Sequence, residues 1–154
     1  MAAALALLVG LWMVFRFAMG LRWAKVQREQ ARADEERRGR RAVAELPQGE
    51  SVVLFLEDAD AGGFQWGGRA VSRQEILGAR LVLNGGAMAT WARAGVTLPD
   101  PPLPEEPEGR ERWEVVLYLK DGRKETVSCG KVREGVSRDA ASRVFEAIRG
   151  STTE

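Results

Sequence analysis

The sequence contains no histidine, one cysteine and one tyrosine among its 154 residues. Because histidine is absent, a Ser-His-Asp triad, a Cys-His pair and a histidine-ligated metal site are excluded. One cysteine cannot form an internal disulfide or a multi-cysteine zinc or iron–sulfur centre. The remaining composition is that of a folded protein, with 45% hydrophobic and 29% charged residues. We therefore expect a protein that is not an enzyme and that holds no cofactor or metal.

An apolar segment opens the chain, running from Ala2 to Phe15 and continuing after Arg16 to Leu21. A helix needs about 20 apolar residues to span a bilayer, so the pattern predicts a transmembrane helix over residues 1–22. A cleaved signal peptide would need a basic start, and residues 1–15 contain no Lys or Arg. A buried helix of a globular domain is seldom apolar all round. Both alternatives are weaker than a single membrane anchor.

A basic segment follows, since residues 16–41 hold nine cations and four anions. By the positive-inside rule this asymmetry predicts a single-pass inner (plasma) membrane protein with a cytoplasmic C-terminal domain. A basic cluster there would attract anionic lipid headgroups, or it would only set the topology of a solvated helix. Nucleic acid is not an expected partner, because acids interleave the cations and no aromatic-rich basic surface accompanies them. The residues expected at the membrane interface are Arg16, Arg22, Trp23, Lys25 and Arg28.

The helix is expected to continue to about Arg38, with Gly39 loosening its end, because this segment is rich in Arg, Ala, Glu and Gln. The rest of the chain has the turn and strand signals of a β-rich domain. The sequence thus divides into a transmembrane helix (1–22), a basic juxtamembrane helix or linker (23–47), a β domain (48–150) with a Pro-rich loop (98–109), and a tail (151–154).

Within the β domain, three segments read as strands before the Pro-rich loop. Residues 51–57 are rich in β-branched and aromatic side chains. Residues 64–71 are expected to form a second strand, bent at Gly67-Gly68. Asn84-Gly85-Gly86 marks a turn before a return strand over 88–96. Residues 72–83 stay ambiguous. Partial alternation favours a strand from Glu75, whereas Ser72 and Glu75 match a capping box that would start a helix.

The clearest element is a hairpin over residues 112–130. A three-residue loop, Lys120 to Gly122, pairs Val115 with Val127 and keeps the apolar side chains on one face, whereas a two-residue loop would separate them. The sequence therefore predicts a type I turn with Gly122 in the left-handed region. A C-terminal helix follows, with Ser137 as its N-cap. Its apolar face is formed by Ala141, Val144, Phe145 and Ile148.

This order of elements resembles the bacterial pleckstrin-homology-like domains that are often attached to membrane helices. The resemblance covers roughly residues 50–150 and is carried by common fold elements: the Ser-Arg-Gln-Glu-Ile segment at 72–76, the Trp-x-Val-x-Leu-x-Leu strand with its Asp-Gly turn at 113–122, and the helix at 137–148. It implies an α+β fold in which a small antiparallel split barrel is capped by the C-terminal helix. It also implies binding of proteins or lipids, and no binding residue can be carried over.

Few side chains form a pattern that could carry chemistry. Cys129 lies at a core-facing strand position, which favours an inert thiol over a nucleophile. Glu57, Asp58 and Asp60 could bind a hard cation, but they lack the spacing of a calcium loop, so solvated turn acids are the favoured interpretation. Phe64, Trp66 and Trp91 could form an exposed partner surface, with core packing as the alternative.

These features together predict a membrane-anchored cytoplasmic binding or assembly module with a pleckstrin-homology-like domain. Its expected partners are the lipid bilayer, a protein and possible anionic headgroups. Two alternatives stay open. One is a small accessory subunit of a larger membrane enzyme or transporter complex, and the other is a membrane-tethered enzyme that uses carboxylates or lysine.

Overall fold

The structure, a computed structural model, describes residues 2–48, 51–101, 111–130 and 134–151. The chain divides into two compact units, Met1–Arg38 and Gly39–Glu154. The boundary falls at Gly39, and the strand that begins at Arg40 belongs to the second unit. Residues 40–47, which the composition predicts as the end of the linker, therefore belong to this strand instead.

The first unit is a single helix, α1 (Ala2–Arg37), of 36 residues. Local pairs stabilise its described part. The Arg16 guanidinium lies 5.1 Å from the centre of the Trp12 ring, and Arg37 donates to Asp34 at 2.9 Å. The helix ends before Gly39, whose φ of +76° is the left-handed conformation typical of a helix C-terminus. The predicted extent of this helix is therefore confirmed.

The predicted membrane span is wrong. Among the described residues, no helix is both long enough and apolar enough to cross a membrane. The apolar segment is part of one continuous helix that contains Arg16 and extends through a charged second half, and charged side chains are costly inside a bilayer. The single-pass topology and the inner-membrane localisation were inferred from that span, and they are overturned with it.

In its described residues, the second unit contains eight strands, one 3-10 turn and one helix. The strands are β1 (Arg40–Gln48), β2 (Ser51–Asp58), β3 (Gly63–Trp66), β4 (Arg69–Ser72), β5 (Ile76–Leu83), β6 (Gly86–Ala92), β7 (Trp113–Leu119) and β8 (Lys124–Ser128). The 3-10 turn is Arg73–Glu75, and the helix is α2 (Glu134–Ser151).

These strands form two antiparallel sheets of four strands each. Sheet A has the order β1-β2-β3-β4, and sheet B has the order β6-β5-β7-β8. The expected split barrel is wrong, because the two sheets are not closed into a barrel. The chain passes from one sheet to the other at the 3-10 turn, where the ladder is interrupted, and β5 then pairs with β6 and β7 rather than with β4.

That 3-10 turn resolves the ambiguity of residues 72–83. The capping box forms: the Ser72 hydroxyl accepts from the Gln74 amide at 3.3 Å, and the Glu75 carboxylate accepts from the Ser72 amide at 3.2 Å. The helix nevertheless ends after one turn, and β5 begins at Ile76. Pairing of β5 with strands on both sides outweighs the local helix signal.

Turn chemistry fixes the hairpins. Gly67 and Gly68 both have positive φ (+52° and +78°) and join β3 to β4 in a two-residue loop, so the single bent strand predicted over 64–71 is instead a hairpin. The hairpin of β7 and β8 follows the predicted register, with Val115 opposite Val127. Its three-residue loop is closed by the Gly122 amide, which donates to the Leu119 carbonyl at 3.0 Å, and Gly122 has φ +83°.

One hydrophobic core lies between the sheets and α2. In sheet A, Phe55 stacks on Phe64 with ring centres 5.5 Å apart, and Trp66 lies at the same distance from Phe55. The helix begins at Glu134, so the predicted N-cap at Ser137 is wrong. The predicted buried face is confirmed, because Ala141, Val144, Phe145 and Ile148 are all at most 4% exposed. This helix contacts β1 of sheet A and both β5 and β7 of sheet B.

Outside this core, the segment after β6 packs on sheet B through Arg80. The side chain of Arg80 is only 5% exposed, and it donates to the Tyr118 hydroxyl at 2.8 Å and to the Pro99 carbonyl. The guanidinium also lies 5.1 Å from the centre of the Tyr118 ring. Because these partners are neutral, Arg80 holds the start of the Pro-rich segment by directed hydrogen bonds rather than by an ion pair. The rest of the Pro-rich loop, residues 102–109, lies outside the described residues.

We predict that Gly130→Ala lowers the free energy of unfolding by more than about 1 kcal/mol. Gly130 has φ +96°, and a Cβ at this position would collide with the ring of Pro47. Urea denaturation followed by tryptophan fluorescence measures the change. Gly150→Ala is the matched control, because a Cβ there meets no atom within 4 Å and the site lies in α2. Equal midpoints for Gly130→Ala and the wild type would contradict the steric argument.

Candidate functional site

The aromatic residues proposed from sequence as a partner surface do not form one. Phe64 is fully buried and Trp66 is 5% exposed, and both belong to the core. Trp91 is half-buried and packs against the same core from β6. The core-packing alternative therefore describes these side chains.

The acidic turn does not assemble a cation site. Glu57 is held by two arginines: Arg41 Nε donates to it at 2.9 Å and Arg73 Nη2 donates at 2.8 Å. Asp58 accepts from the Ala61 amide at 2.8 Å and so stabilises the turn. Across the described ranges, no group of three or more acidic or cysteine side chains could hold a metal ion. Glu57 is thus a paired carboxylate, which sequence reasoning missed because its partners come from β1 and the 3-10 turn.

Cys129 is fully buried, and its thiol lies 3.6 Å from the Val127 carbonyl. Burial raises the pKa of the Cys129 thiol to about 12, and the negative charge of Glu114 adds to the effect. Because the folded pKa exceeds the ordinary thiol pKa of 9.0, the folded state keeps a proton that the unfolded chain loses between those two pH values. Stability therefore falls as the pH rises through this window. The thiolate, which is the nucleophile, is strongly disfavoured near neutral pH.

The five residues predicted at a membrane interface all lie in α1. Arg16 packs on Trp12, and Lys25 lies 3.8 Å from Glu29 in an exposed ion pair. Arg28 is exposed, whereas the side chains of Arg22 and Trp23 lie outside the described residues. Their interface role was inferred from the membrane span and loses its basis with it.

A concave surface lies between the end of sheet B and the first half of α2. We call it the α2–sheet B groove, and its volume is about 460 Å³. Its floor is apolar and is formed by Leu81 and Leu83 of β5 and by Trp113 of β7. Met88 of β6 forms one wall and is 58% exposed. Nearby in the sequence of α2, Val136 is 56% exposed, although it does not line the groove.

Two charged side chains lie at the rim of this groove and differ in their partners. The Glu111 carboxylate accepts from the Trp113 indole N–H at 3.1 Å, which orients the ring in the floor. Arg138, from α2, is exposed and makes no ion pair with any residue that the structure describes. The groove therefore combines an apolar floor, a fixed aromatic ring and one cation available to a ligand, the arrangement typical of binding sites.

Sequence reasoning missed this groove because its lining comes from three strands and a helix that are distant along the chain. One local signal was present. Met88 follows the Asn84-Gly85 turn, and a large apolar side chain near a hairpin turn has little chance of burial within its own hairpin. The alternation of Leu81 and Leu83 predicts a strand but gives no sign that they line a groove. Neither the position of α2 nor the exposure of Arg138 could be read from the sequence.

Comparison of the chain with protein-family models, curated proteins and solved structures finds no match. The resemblance to pleckstrin-homology-like domains therefore stays a prediction from the sequence pattern.

We predict that the Cys129 thiol does not react with a disulfide reagent such as DTNB at pH 8 in the folded protein. It should react fully in concentrated urea, because unfolding exposes it and restores an ordinary thiol pKa. Ser128→Cys is the control, since Ser128 is exposed on the neighbouring position of β8. That variant should show one rapidly reacting thiol in the native state. Rapid native labelling of wild-type Cys129 would show that the thiol is accessible and would contradict its burial.

Proposed function

We propose that the second unit is a protein-binding module with no catalytic activity of its own, and that it binds its partner in the α2–sheet B groove. The observation that carries the proposal is this groove with an apolar floor, bordered by the exposed side chain of Met88. An exposed apolar concavity on a folded unit is typical of an interaction site. The lack of histidine and the buried, protonated state of Cys129 support a binding role rather than a catalytic one.

The dimensions of the groove support recognition of side chains rather than of a large flat surface. A volume of about 460 Å³ suits one or two large apolar side chains, and complete burial of one such side chain contributes about 1.5–3 kcal/mol. The Trp113 ring is already held by Glu111. Because this part of the floor is ordered before binding, a ligand would not have to bear the entropic cost of ordering it.

The charge of the groove supports a partner segment with apolar and acidic residues. Glu111 is engaged with the indole, so its charge is partly satisfied. Arg138 offers an exposed guanidinium, whose planar donors suit a carboxylate. An apolar side chain in the groove with an acidic residue beside it would match both features.

We predict that Met88→Glu weakens binding of groove ligands at least about tenfold, which corresponds to about 1.4 kcal/mol. The ligands are peptides selected from a random display library against the full chain, and their affinities are measured by fluorescence anisotropy. The substitution removes an apolar wall and adds a charge that repels acidic peptides. Thr126→Glu is the control, because Thr126 is exposed on β8 and does not line the groove.

A second pair of variants tests the expected charge preference. Arg138→Glu should reduce affinity for acidic peptides, whereas Arg143→Glu, the same charge change at another exposed arginine of α2, should leave it unchanged. If no peptide is enriched, or if enriched peptides bind Met88→Glu as tightly as the wild type, the groove is not the binding site and the proposal fails.

A further inference from the structure

We infer that the partner segment binds in an extended conformation and adds a fifth strand to sheet B along the free edge of β6. This inference rests on the proposed function, because it specifies how a segment that enters the α2–sheet B groove is held. It is carried by the composition of the sheet edges, the hydrogen-bond register of β6 and the position of Met88.

The two sheets have four edge strands: β1 and β4 in sheet A, and β6 and β8 in sheet B. Exposed edges invite pairing with other chains, and charged side chains are one common protection. Three of these edges carry charge. β1 begins with Arg40 and Arg41, β4 contains Arg69, and β8 contains Lys124 and Glu125. In contrast, β6 has the sequence Gly-Ala-Met-Ala-Thr-Trp-Ala, with neither a charged residue nor proline.

The edges of β4 and β8 are also tied to each other. Arg69 of β4 donates to Glu125 of β8 at 2.5 Å, which links the last strands of the two sheets by an ion pair. No described residue forms a comparable link to β6, and none pairs with its outer edge. β6 is therefore the edge, among the described strands, that is most open to a further strand.

The register shows which groups of β6 point outward. The Arg93 amide donates to the Leu77 carbonyl, so this pair is hydrogen-bonded. Bonded and non-bonded pairs alternate in an antiparallel ladder, and Ala79–Trp91 is therefore bonded, whereas Arg80–Thr90 and Gly78–Ala92 are not. The amides and carbonyls of Thr90 and Ala92 consequently face away from β5, where a further strand would pair with them.

The bulge in β6 defines where that pairing ends. Leu81 lies opposite Ala89, but Val82 lies opposite Ala87, so Met88 is the extra residue. Bulges distort an edge and end regular pairing. Met88 is also a wall of the α2–sheet B groove. A strand added along Thr90 and Ala92 therefore leads towards the groove at the point where regular pairing stops.

This geometry favours an extended partner segment over a second copy of the chain. Symmetric pairing of two β6 strands would use only the short stretch after the bulge, and it would gain nothing from the groove. A partner segment would gain backbone hydrogen bonds along β6 and apolar burial in the groove together. In strand addition, backbone bonds supply affinity and side-chain pockets supply specificity.

The test is Thr90→Pro, measured with the selected peptides and the full chain. Proline removes one outward amide and places a ring on the edge, yet it leaves the β5 ladder intact because the Thr90 amide does not donate to β5. Thr126→Pro is the matched control. Thr126 is an exposed threonine in edge strand β8, and its pair with Val116 is likewise of the non-bonded type. Urea midpoints and circular dichroism establish that both variants fold.

We expect Thr90→Pro to weaken peptide binding at least about tenfold, with Thr126→Pro unchanged. Peptides are also N-methylated at alternate backbone positions. Methylation of the amides that face β6 should weaken binding, whereas methylation of the amides between them should not. If Thr90→Pro binds the peptides as tightly as the wild type while Met88→Glu does not, the groove binds without β6, and this inference fails although the proposed function stands. The inference would also be overturned if sedimentation showed a wild-type dimer, if Thr90→Pro converted it to a monomer, and if the peptides did not compete with dimer formation. That result would assign the edge of β6 to a second copy of the chain.

Discussion

The second unit depends on the packing of α2 across two sheets that no backbone ladder joins. Among the described strands, sheet A and sheet B share no hydrogen-bonded pair, so side-chain contacts supply much of what holds their faces together. The helix supplies many of these contacts, since its buried face meets β1 of one sheet and β5 and β7 of the other. The fully buried side chains Phe55, Phe64, Leu117 and Ile148 come from both sheets and the helix. Burial of this shared apolar surface is the main stabilising contribution, because apolar surface is removed from water.

The groove follows from the same arrangement. A helix that crosses between two sheets covers the middle of the core, and at the end of sheet B the side chains of Leu81 and Leu83 stay half-exposed beside it. Glu111 then fixes the indole of Trp113 within this opening. The surface that supports the proposed function is therefore an incompletely covered part of the core. Its apolar character comes from the packing, and its available charge comes from Arg138.

Several charged residues of the unit hold its parts in place. Glu57 joins β1 to the 3-10 turn through Arg41 and Arg73, and Arg80 attaches the start of the Pro-rich segment to sheet B. Arg93 donates to the carbonyls of Ile76 and Arg73, which fixes the exit of β6 against the start of β5. These groups are occupied by structural contacts.

Local residue patterns were enough to predict the elements whose signals are short-range. The register of the β7–β8 hairpin followed from keeping Val115 and Val127 on one face, and the left-handed Gly122 followed from the turn. The buried face of α2 followed from its spacing. The long first helix was also predictable, but the inference that it spans a membrane was wrong. Tertiary structure alone decided that Ile76 to Leu83 is a strand despite a formed capping box, that two sheets form in place of a barrel, and that β1 belongs to the second unit. It also decided the groove and the free edge of β6, because both depend on which distant segments pack together, and no local pattern encodes that choice.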